Sequence, residues 1–296
     1  MTKTPTILVI GKNGQVGWEL CRTVGTLGNV VAVDYPEIDF SDPVTLRDLI
    51  RSVKPSIVLN AAAYTAVDKA EEEADLAMAV NGVAPGVIAE EAKAVGAALI
   101  HYSTDYVFDG TKQEPYTELD EPSPLSVYGK TKLAGDQAIL SVDVPSMIFR
   151  TSWVYGWRGK NFLLTMLKLA REREELKMVD DQIGAPTWAR AIAEATAQVL
   201  SQGVRGGNDF FQDRSGLYNM TSRGKTSWYG FAKEILTADP GRDEHILRRL
   251  VAISTEEYKT LAQRPKMSLL DGASLSDVFG VTLPEWQWPL GLWSQS

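Results

Sequence analysis

The sequence has little of what several kinds of chemistry require. It contains one cysteine, Cys21, and two histidines, His101 and His245, in 296 residues. A lone cysteine cannot form a disulfide within the chain, and a catalytic zinc ion normally needs a cluster of Cys, His or acidic ligands. The composition therefore argues against thiol redox chemistry and against a zinc dehydrogenase. Cys21 is predicted to be a small core residue on the first helix.

Basic charge and long apolar runs are also scarce. Acidic residues outnumber basic residues by 38 to 30, so the formal net charge is −8, and the Lys and Arg residues form no stripe. Nucleic-acid binding depends on neutralising phosphates with Lys and Arg, and a membrane-spanning helix needs about 20 mostly apolar residues. We therefore expect a cytoplasmic protein that binds neither nucleic acid nor a membrane.

The N-terminal segment has the order strand, glycine turn, helix. An apolar run over residues 6–10 is followed by Gly11, Gly14 and Gly17 and then by a helical pattern. Glycines let the backbone approach a pyrophosphate closely, and the free N–H groups at a helix start attract its oxygens. Three glycines at this spacing also fit a simple turn before a packed helix. The order of elements nevertheless favours a dinucleotide-binding loop.

The next apolar run, residues 29–33, ends at Asp34. An acidic side chain at this place accepts hydrogen bonds from the adenosine ribose of a dinucleotide and repels the 2'-phosphate of NADP. Asp34 therefore favours NAD. The ammonium of Lys12 in the glycine turn can offset this repulsion, so both NADH and NADPH stay open as cofactors. Asp34 also fits an ordinary turn residue at a strand end.

Strand-like runs alternate with helical stretches along the first half of the chain. The runs cover residues 56–59, 98–102 and 146–149, and the helical stretches lie near 43–53, 70–95 and 124–140. This alternation predicts an α/β fold with a Rossmann-type doubly wound parallel sheet and right-handed crossovers, joined to a smaller α/β substrate-binding lobe. We predict a dinucleotide-binding domain over 1–151, with a returning strand near 176–182, and a lobe over 152–175 and 183–296. Within the lobe we predict a helix beginning at 161, a helix from about 187 to 200 and a surface turn over 203–207.

Tyr128 and Lys132 are predicted to form a proton-donating pair. Four residues apart on a helix, they share one face, so the ammonium group can favour ionisation of a phenol whose usual pKa is about 10. Thr104 follows the strand over 98–102 and would bring a hydroxyl to the same sheet edge, where ligands bind in folds of this class. The Tyr-x-x-x-Lys spacing alone is common on amphipathic helices. The assignment therefore depends on the glycine loop and Asp34 occurring with it.

Five segments carry the strongest signal, and they cover residues 11–19, 60–71, 101–110, 128–135 and 149–156. Together they resemble the extended short-chain dehydrogenase/reductase family, and within it the reductases that complete dTDP-L-rhamnose synthesis. The resemblance spans nearly the whole chain. It implies NADH- or NADPH-dependent reduction of the C4 carbonyl of a sugar nucleotide, dTDP-4-dehydro-L-rhamnose.

The resemblance also implies roles for individual residues. Tyr128 would donate the proton, Lys132 would bind the nicotinamide ribose and tune the phenol, and Thr104 would hydrogen-bond the sugar. Together with the glycine loop, the cofactor surface would comprise Gly11, Gly14, Gln15, Val16, Gly17, Asp34, Asp39, Phe40, Ala62, Ala63, Tyr64, Thr65, Tyr102, Tyr128 and Lys132. The substrate contacts would be Thr104, Asp105, Tyr128, Trp153 and, for a pyrophosphate, Arg264.

Other functions stay open beside this one. The related sugar-nucleotide 4,6-dehydratases carry Asp-Glu after the threonine, whereas Asp105 is followed by Tyr106 here, so reduction is favoured over elimination. Another sugar-nucleotide reductase, an epimerase and a non-catalytic dinucleotide-binding regulatory subunit remain alternatives. Some family members bind magnesium between paired subunits; Glu19 matches one such position, but Arg190 stands where a second acid is expected. We therefore predict no metal site, and a monomer or homodimer.

Overall fold

The computed structural model describes residues 4–206 and 208–293. Its strands are β1 Thr6–Ile10, β2 Asn29–Val33, β3 Ile57–Asn60, β4 Ala98–Thr104, β5 Ser146–Thr151, β6 Val154–Tyr155, β7 Glu175–Val179, β8 Ile183–Gly184, β9 Thr187–Trp188, β10 Gly216–Asn219, β11 Thr226–Ser227 and β12 Arg249–Ile253. Its α-helices are α1 Gln15–Thr23, α2 Pro43–Val53, α3 Val67–Ala70, α4 Ala74–Met78, α5 Ala84–Val95, α6 Val127–Leu140, α7 Phe162–Glu172, α8 Ala189–Gly206, α9 Asn208–Asp213, α10 Trp228–Ala238, α11 Ala273–Phe279 and α12 Trp288–Trp293. Short 3-10 turns lie at Val24–Thr26, Asp105–Val107, Arg242–Glu244 and Thr255–Glu257, and a π-helical turn lies at Ala79–Val83.

A parallel sheet organises the described part of the chain. Its strand order is β10-β5-β4-β3-β1-β2, and each neighbouring pair is parallel. From β1 the chain goes to β2 on one side and then returns past β1 to β3 on the other. The strand order therefore reverses between β1 and β3, where sheets of this kind bind ligands at their carboxyl ends. The predicted Rossmann-type doubly wound sheet is confirmed.

Helices cover both faces of this sheet. On one face α2, α5 and α6 pack against strand side chains in a cluster that includes Leu8, Leu46, Val58, Ile88 and Ile139. On the other face α1, α8 and α11 pack in a second cluster that includes Val9, Leu20, Phe149, Val199 and Phe279. Because both faces are covered, the central strands read in the sequence as continuous apolar runs rather than as alternating ones.

The helix predicted over 70–95 is interrupted. The chain forms α3, α4 and the π-helical turn before α5 begins at Ala84. At the π turn, Asn81 Oδ1 accepts a hydrogen bond from Tyr64 N at 2.8 Å, and Asn81 Nδ2 donates to Tyr64 O at 3.0 Å and to Thr131 Oγ1 at 3.2 Å. The turn thus directs one buried amide toward two distant segments, which is a common use of such turns near functional sites.

The last strand of the sheet comes from later in the chain than predicted. It is β10, which pairs with β5, whereas the strand predicted near 176–182 is β7 and pairs with β12. The predicted place of that returning strand in the sheet was wrong, and the domain boundaries stay a prediction. α7 starts after Asn161 as predicted. α8, predicted to begin at about 187, begins at Ala189 and packs on the central sheet.

The surface turn predicted over 203–207 is also wrong for the residues described. α8 continues to Gly206, and Gly203 is buried within it, where an added Cβ would lie 2.2 Å from the ring of Phe211. Gly207 lies outside the described residues. A third apolar cluster lies within the segments predicted to form the lobe, and it includes Tyr155, Leu163, Met166, Phe231 and Trp286. Within residues 4–206 and 208–293, no helix has both the length and the apolar content for a membrane crossing.

Candidate active site

A cleft opens at the carboxyl ends of the central strands, where the strand order reverses. Its lining brings together many of the predicted residues: Gly11, Gly14, Gln15, Val16, Asp34, Phe40, Ala62, Ala63, Thr65, Tyr102, Tyr128 and Lys132. The lining also includes Ser103 at the end of β4 and four residues that we did not predict: Asn13, Val154, Gly159 and Lys160. The cleft therefore joins the glycine loop at one end to the tyrosine and lysine pair at the other.

The glycine loop forms an open cradle, which the side chains of other residues at Gly11 and Gly17 would disrupt. Gly11 has φ +92°, and a Cβ there would lie 2.6 Å from Ala62 N. A Cβ on Gly17 would lie 1.9 Å from Gly11 O, so Gly17 lets α1 pack closely against the loop. Gly17 does not line the cleft. Gly14 precedes the first turn of α1, whose free N–H groups attract anions. The cradle fits the pyrophosphate of a dinucleotide.

Asp34 stands at the outer end of the cleft, where the adenosine ribose of a dinucleotide would lie. Its carboxylate accepts hydrogen bonds from Asn13 N at 2.6 Å and from Tyr35 N at 2.7 Å. The ammonium of Lys12 is paired with Glu37 at 2.7 Å, and this pair lowers the pKa of Glu37. The positive charge that we expected to offset Asp34 is thus directed to a second carboxylate.

Two further predicted cofactor residues lie outside the cleft lining. Asp39 Oδ1 accepts a hydrogen bond from Ser41 Oγ at 2.6 Å, and the hydroxyl of Tyr64 donates to Glu73 at 2.6 Å. These contacts shape the loops beside the cleft. Contact between either side chain and the cofactor stays a prediction.

Tyr128 and Lys132 lie on α6, whose first turn is capped by Ser126 through a hydrogen bond from Gly129 N. Lys132 is only 1% exposed, and its Nζ donates to Tyr102 O at 2.6 Å. Burial lowers the pKa of Lys132 to about 8, with the charge of Asp136 acting in the opposite direction. Burial raises the pKa of Tyr128 to about 12, against a hydrogen bond with Thr104. At neutral pH the phenol therefore holds its proton.

Thr104 and Asp105 lie buried beside Tyr128 and do not line the cleft. Thr104 Oγ1 donates to Asp105 Oδ1 at 3.0 Å and accepts from Tyr106 N at 3.2 Å. Burial raises the pKa of Asp105 to about 7. The ring of Tyr106 meets the ring of Tyr128 edge-on, with 5.5 Å between centroids. The phenol thus stands at the border between the cleft and a buried polar group.

The two predicted substrate residues of the later segments are both engaged in protein contacts. Trp153 has φ +47°, stacks on Trp228 with 3.6 Å between centroids, and donates from Nε1 to Ser268 Oγ at 3.2 Å. The guanidinium of Arg264 donates to the two carboxylate oxygens of Asp68 at 2.7 and 3.2 Å. Their contacts with a substrate stay predictions.

Sequence reasoning missed a set of buried polar residues beneath the pair. Asp136 lies four residues after Lys132, accepts from Ser103 Oγ at 2.8 Å and lies 3.5 Å from Arg150 Nε. His101 lies beside Lys132 as well. Two signals in the sequence point to these residues: polar side chains inside apolar runs, and the i, i+4 spacing of Asp136 from Lys132.

At the position where some members of the resembled family bind magnesium, Glu19 has a basic neighbour. Arg190 lies 3.5 Å from Glu19 and donates to Glu194 at 2.8 Å. The part of the chain that the structure describes has no group of three or more His, Cys, Asp or Glu side chains that could hold a metal ion.

Known proteins resemble this chain over nearly its full length. The model of the RmlD substrate binding domain family matches residues 5–294. A dTDP-4-dehydrorhamnose reductase of Burkholderia thailandensis is 49% identical over 97% of each chain. Two crystal structures of dTDP-4-dehydrorhamnose reductases superpose with a TM-score of 0.87: one from Clostridium acetobutylicum is 36% identical over 98% of each chain, and one from Bacillus anthracis, in complex with NADP, is 32% identical over 98% of this chain and 99% of that one. The resemblance found in the sequence is thereby confirmed, and the chain belongs to the RmlD substrate binding domain family.

Proposed function

We propose that the protein reduces the C4 carbonyl of dTDP-4-dehydro-L-rhamnose to give dTDP-L-rhamnose, with NADH or NADPH as cofactor. The observation that carries the proposal is that Tyr128 and Lys132 line the same cleft as the glycine loop. A dinucleotide lying along this cleft would have its pyrophosphate at the loop and its nicotinamide near the phenol. Relatives named dTDP-4-dehydrorhamnose reductase match 97% and 98% of the chain.

The side chains have separate tasks in this reduction. The bound nicotinamide supplies the hydride. Tyr128 gives its proton to the carbonyl oxygen, whose negative charge develops only in the transition state, so the donor lowers the barrier more than it strengthens substrate binding. In its charged form Lys132, four residues after Tyr128 on α6, would favour the phenolate left after proton transfer. Thr104 would orient the sugar, and Trp153 would contact it.

The residues after Thr104 favour reduction over the related dehydration. Elimination of water needs a base near the departing proton, and Asp105 is followed by Tyr106, a phenol whose pKa is raised by burial. Asp105 is itself buried and pairs with Thr104. A non-catalytic regulatory subunit would have no need of a protonated phenol at the end of the cleft. We further propose that the enzyme acts in the cytoplasm as a monomer or homodimer.

The substitution Tyr128→Phe tests the proposed function. We expect kcat to fall by roughly 100-fold to 10,000-fold, because the variant lacks the proton donor, while cofactor binding persists. Turnover is followed as loss of nicotinamide absorbance with dTDP-4-dehydro-L-rhamnose, and cofactor binding as a change in nicotinamide fluorescence.

A matched control is Tyr218→Phe, since the hydroxyl of Tyr218 donates to Arg214 O and does not line the cleft. It should keep wild-type turnover. Near-wild-type kcat in Tyr128→Phe would remove this residue from the mechanism. A wild-type protein that binds the cofactor but reduces no 4-keto sugar nucleotide would favour the regulatory module, and dehydration of dTDP-glucose would favour the dehydratase.

A further inference from the structure

A buried histidine connects Lys132 to another part of the cleft lining. His101 on β4 is 0% exposed. Its Nε2 lies 3.1 Å from Lys132 Nζ, and its Nδ1 lies 3.0 Å from Asn60 Nδ2 at the end of β3. Asn60 Oδ1 in turn accepts from Ala62 N, which belongs to the cleft lining, at 3.3 Å. The contacts form one continuous path from Ala62 to Lys132.

The imidazole in this path is neutral, because burial and the nearby Lys132 hold the pKa of His101 well below its usual value. A neutral imidazole has one N–H donor and one acceptor nitrogen. When Asn60 donates to Nδ1, the proton must be on Nε2, which then donates to Lys132 as a neutral amine. When Lys132 is an ammonium, Nε2 must accept, so Nδ1 carries the proton. The Asn60 amide must then rotate to present its oxygen to Nδ1, and it gives up the hydrogen bond from Ala62 N. The charge of Lys132, the tautomer of His101 and the orientation of the Asn60 amide therefore change together.

We propose that His101 is a positioning residue which, together with Asn60, sets whether Lys132 is charged by presenting either a donor or an acceptor to its nitrogen. In its kinetic consequences the inference rests on the proposed reduction. Among the residues that the structure describes, the other hydrogen bond of Lys132 Nζ goes to the carbonyl of Tyr102, which accepts in either state. A pKa of about 8 for Lys132 puts both states within reach under physiological conditions.

Other ionisable groups around Lys132 act on both states through fixed positions. Asp136 and Tyr128 lie on the same helix, Tyr102 lies on β4, and Arg150 on β5 faces Asp136 at 3.5 Å. Asp136 favours the charged lysine. These groups bias the equilibrium, whereas His101 alone among them contacts Lys132 through an atom that exchanges donor for acceptor.

Three single variants are expected to shift the alkaline limb of the pH profile of kcat by different amounts. His101→Leu removes the partner, which costs the ammonium more than the neutral amine, so the alkaline limb of kcat should move to lower pH by about one unit. Asn60→Asp places an acceptor beside Nδ1, which fixes Nε2 as an acceptor and should move the limb to higher pH by about one unit. His101→Gln keeps both a donor and an acceptor and should leave the limb near its wild-type position.

The double variant His101→Leu with Asn60→Asp separates this coupling from simple charge attraction. The upward shift caused by Asn60→Asp should largely disappear when His101 is absent, whereas direct attraction between a carboxylate and Lys132 would persist. A lower kcat with an unmoved limb in His101→Leu, or an Asn60→Asp shift that survives in the double variant, overturns the proposal. Thermal unfolding of each variant checks that the folded protein is being compared.

The pH dependence of NADH and NADPH binding, measured by nicotinamide fluorescence, should report the same ionisation of Lys132 without any sugar substrate, because Lys132 lines the cleft. The same shifts are expected there. If the wild-type protein fails to reduce the sugar nucleotide, the proposed function is wrong. The pH profiles of cofactor binding then still test whether His101 controls the charge of Lys132. Coincident binding limbs in all variants contradict the coupling.

Discussion

Asp105 is a carboxyl group placed where its charge is unfavourable. It is 2% exposed, and burial raises its pKa to about 7. Its charge also raises the pKa of Tyr106 and of Tyr128. Ionisation of Asp105 therefore makes the phenol of Tyr128, the proposed proton donor, hold its proton more firmly. One buried residue thus affects both folding and proton donation.

The pH dependence of stability tests this description of Asp105. The carboxyl titrates near 3.8 without the protein environment and near 7 in the fold, so between these values the folded state binds more protons and the wild type loses stability as pH rises. Asp105→Asn cannot ionise. We expect it to exceed the wild type above pH 7 by up to about 4 kcal/mol, since each pKa unit is worth about 1.4 kcal/mol, and to lose this advantage toward about pH 4.

Urea unfolding of both proteins across this pH range provides the measurement. Asp109→Asn is a control with the opposite sign, because hydrogen bonds from Thr111 lower the pKa of Asp109. That variant should be less stable than the wild type at neutral pH, and the difference should vanish as the wild-type carboxyl is protonated in acid. A stability difference for Asp105→Asn that does not change with pH would show that ionisation is not the cause.

At the scale of elements, α6 owes its position to two glycines. A Cβ on Gly129 would lie 2.2 Å from Tyr106 O, and a Cβ on Gly135 would lie 2.1 Å from Asn81 O. Glycine inside a helix costs about 1 kcal/mol relative to alanine. Here the missing side chains let α6 approach the turn after β4 and the π-helical turn, and this approach places Tyr128 and Lys132 at the cleft.

Gly135→Ala should therefore destabilise the fold. The added methyl group would clash with backbone atoms, which cannot move aside as a flexible side chain can. We therefore expect a loss of roughly 1–3 kcal/mol in the free energy of unfolding. Gly25→Ala is the matched control, because nothing lies within 4 Å of a Cβ there and its φ is not positive. It should be neutral or slightly stabilising by denaturant unfolding. Equal stability of the two variants would contradict the close approach of α6.

Local patterns predicted the elements whose signal is local. The strands β1 to β5 and the helix α2 follow from apolar runs and helical spacing, and the glycine loop follows from its position after β1. The break before α5 was missed because the partners of Asn81 are Tyr64 and Thr131, which are close only in the fold. The sixth strand was misplaced for the same reason. In the site, the pairing of His101 with Lys132 joins a strand to a helix, so no spacing in the sequence reveals it.

At the scale of the whole molecule, hydrogen bonds join the predicted dinucleotide-binding domain to later segments of the chain. Arg264 pairs with Asp68 in α3, and Asn161 Nδ2 donates to Gln15 Oε1 at 2.9 Å. Asp68 also accepts from Ala262 N at 3.1 Å, and Arg264 lowers the pKa of its carboxyl. Two contacts thus join segments that are distant in the sequence, and the second of them involves Gln15 of the cleft lining.

Arg264 has two proposed tasks, and the pair Arg264→Gln and Asp68→Asn distinguishes them. If Arg264 binds the pyrophosphate of the substrate, Arg264→Gln should raise KM for the sugar nucleotide by roughly 10-fold to 100-fold, because a hydrogen bond between charged groups is lost. Asp68→Asn leaves the guanidinium in place, so KM should stay unchanged or fall. If Arg264 serves only to join the two parts of the molecule, both variants should raise KM alike. Arg223→Gln, which removes an exposed cation paired with Glu285, is the control and should alter neither KM nor cofactor affinity.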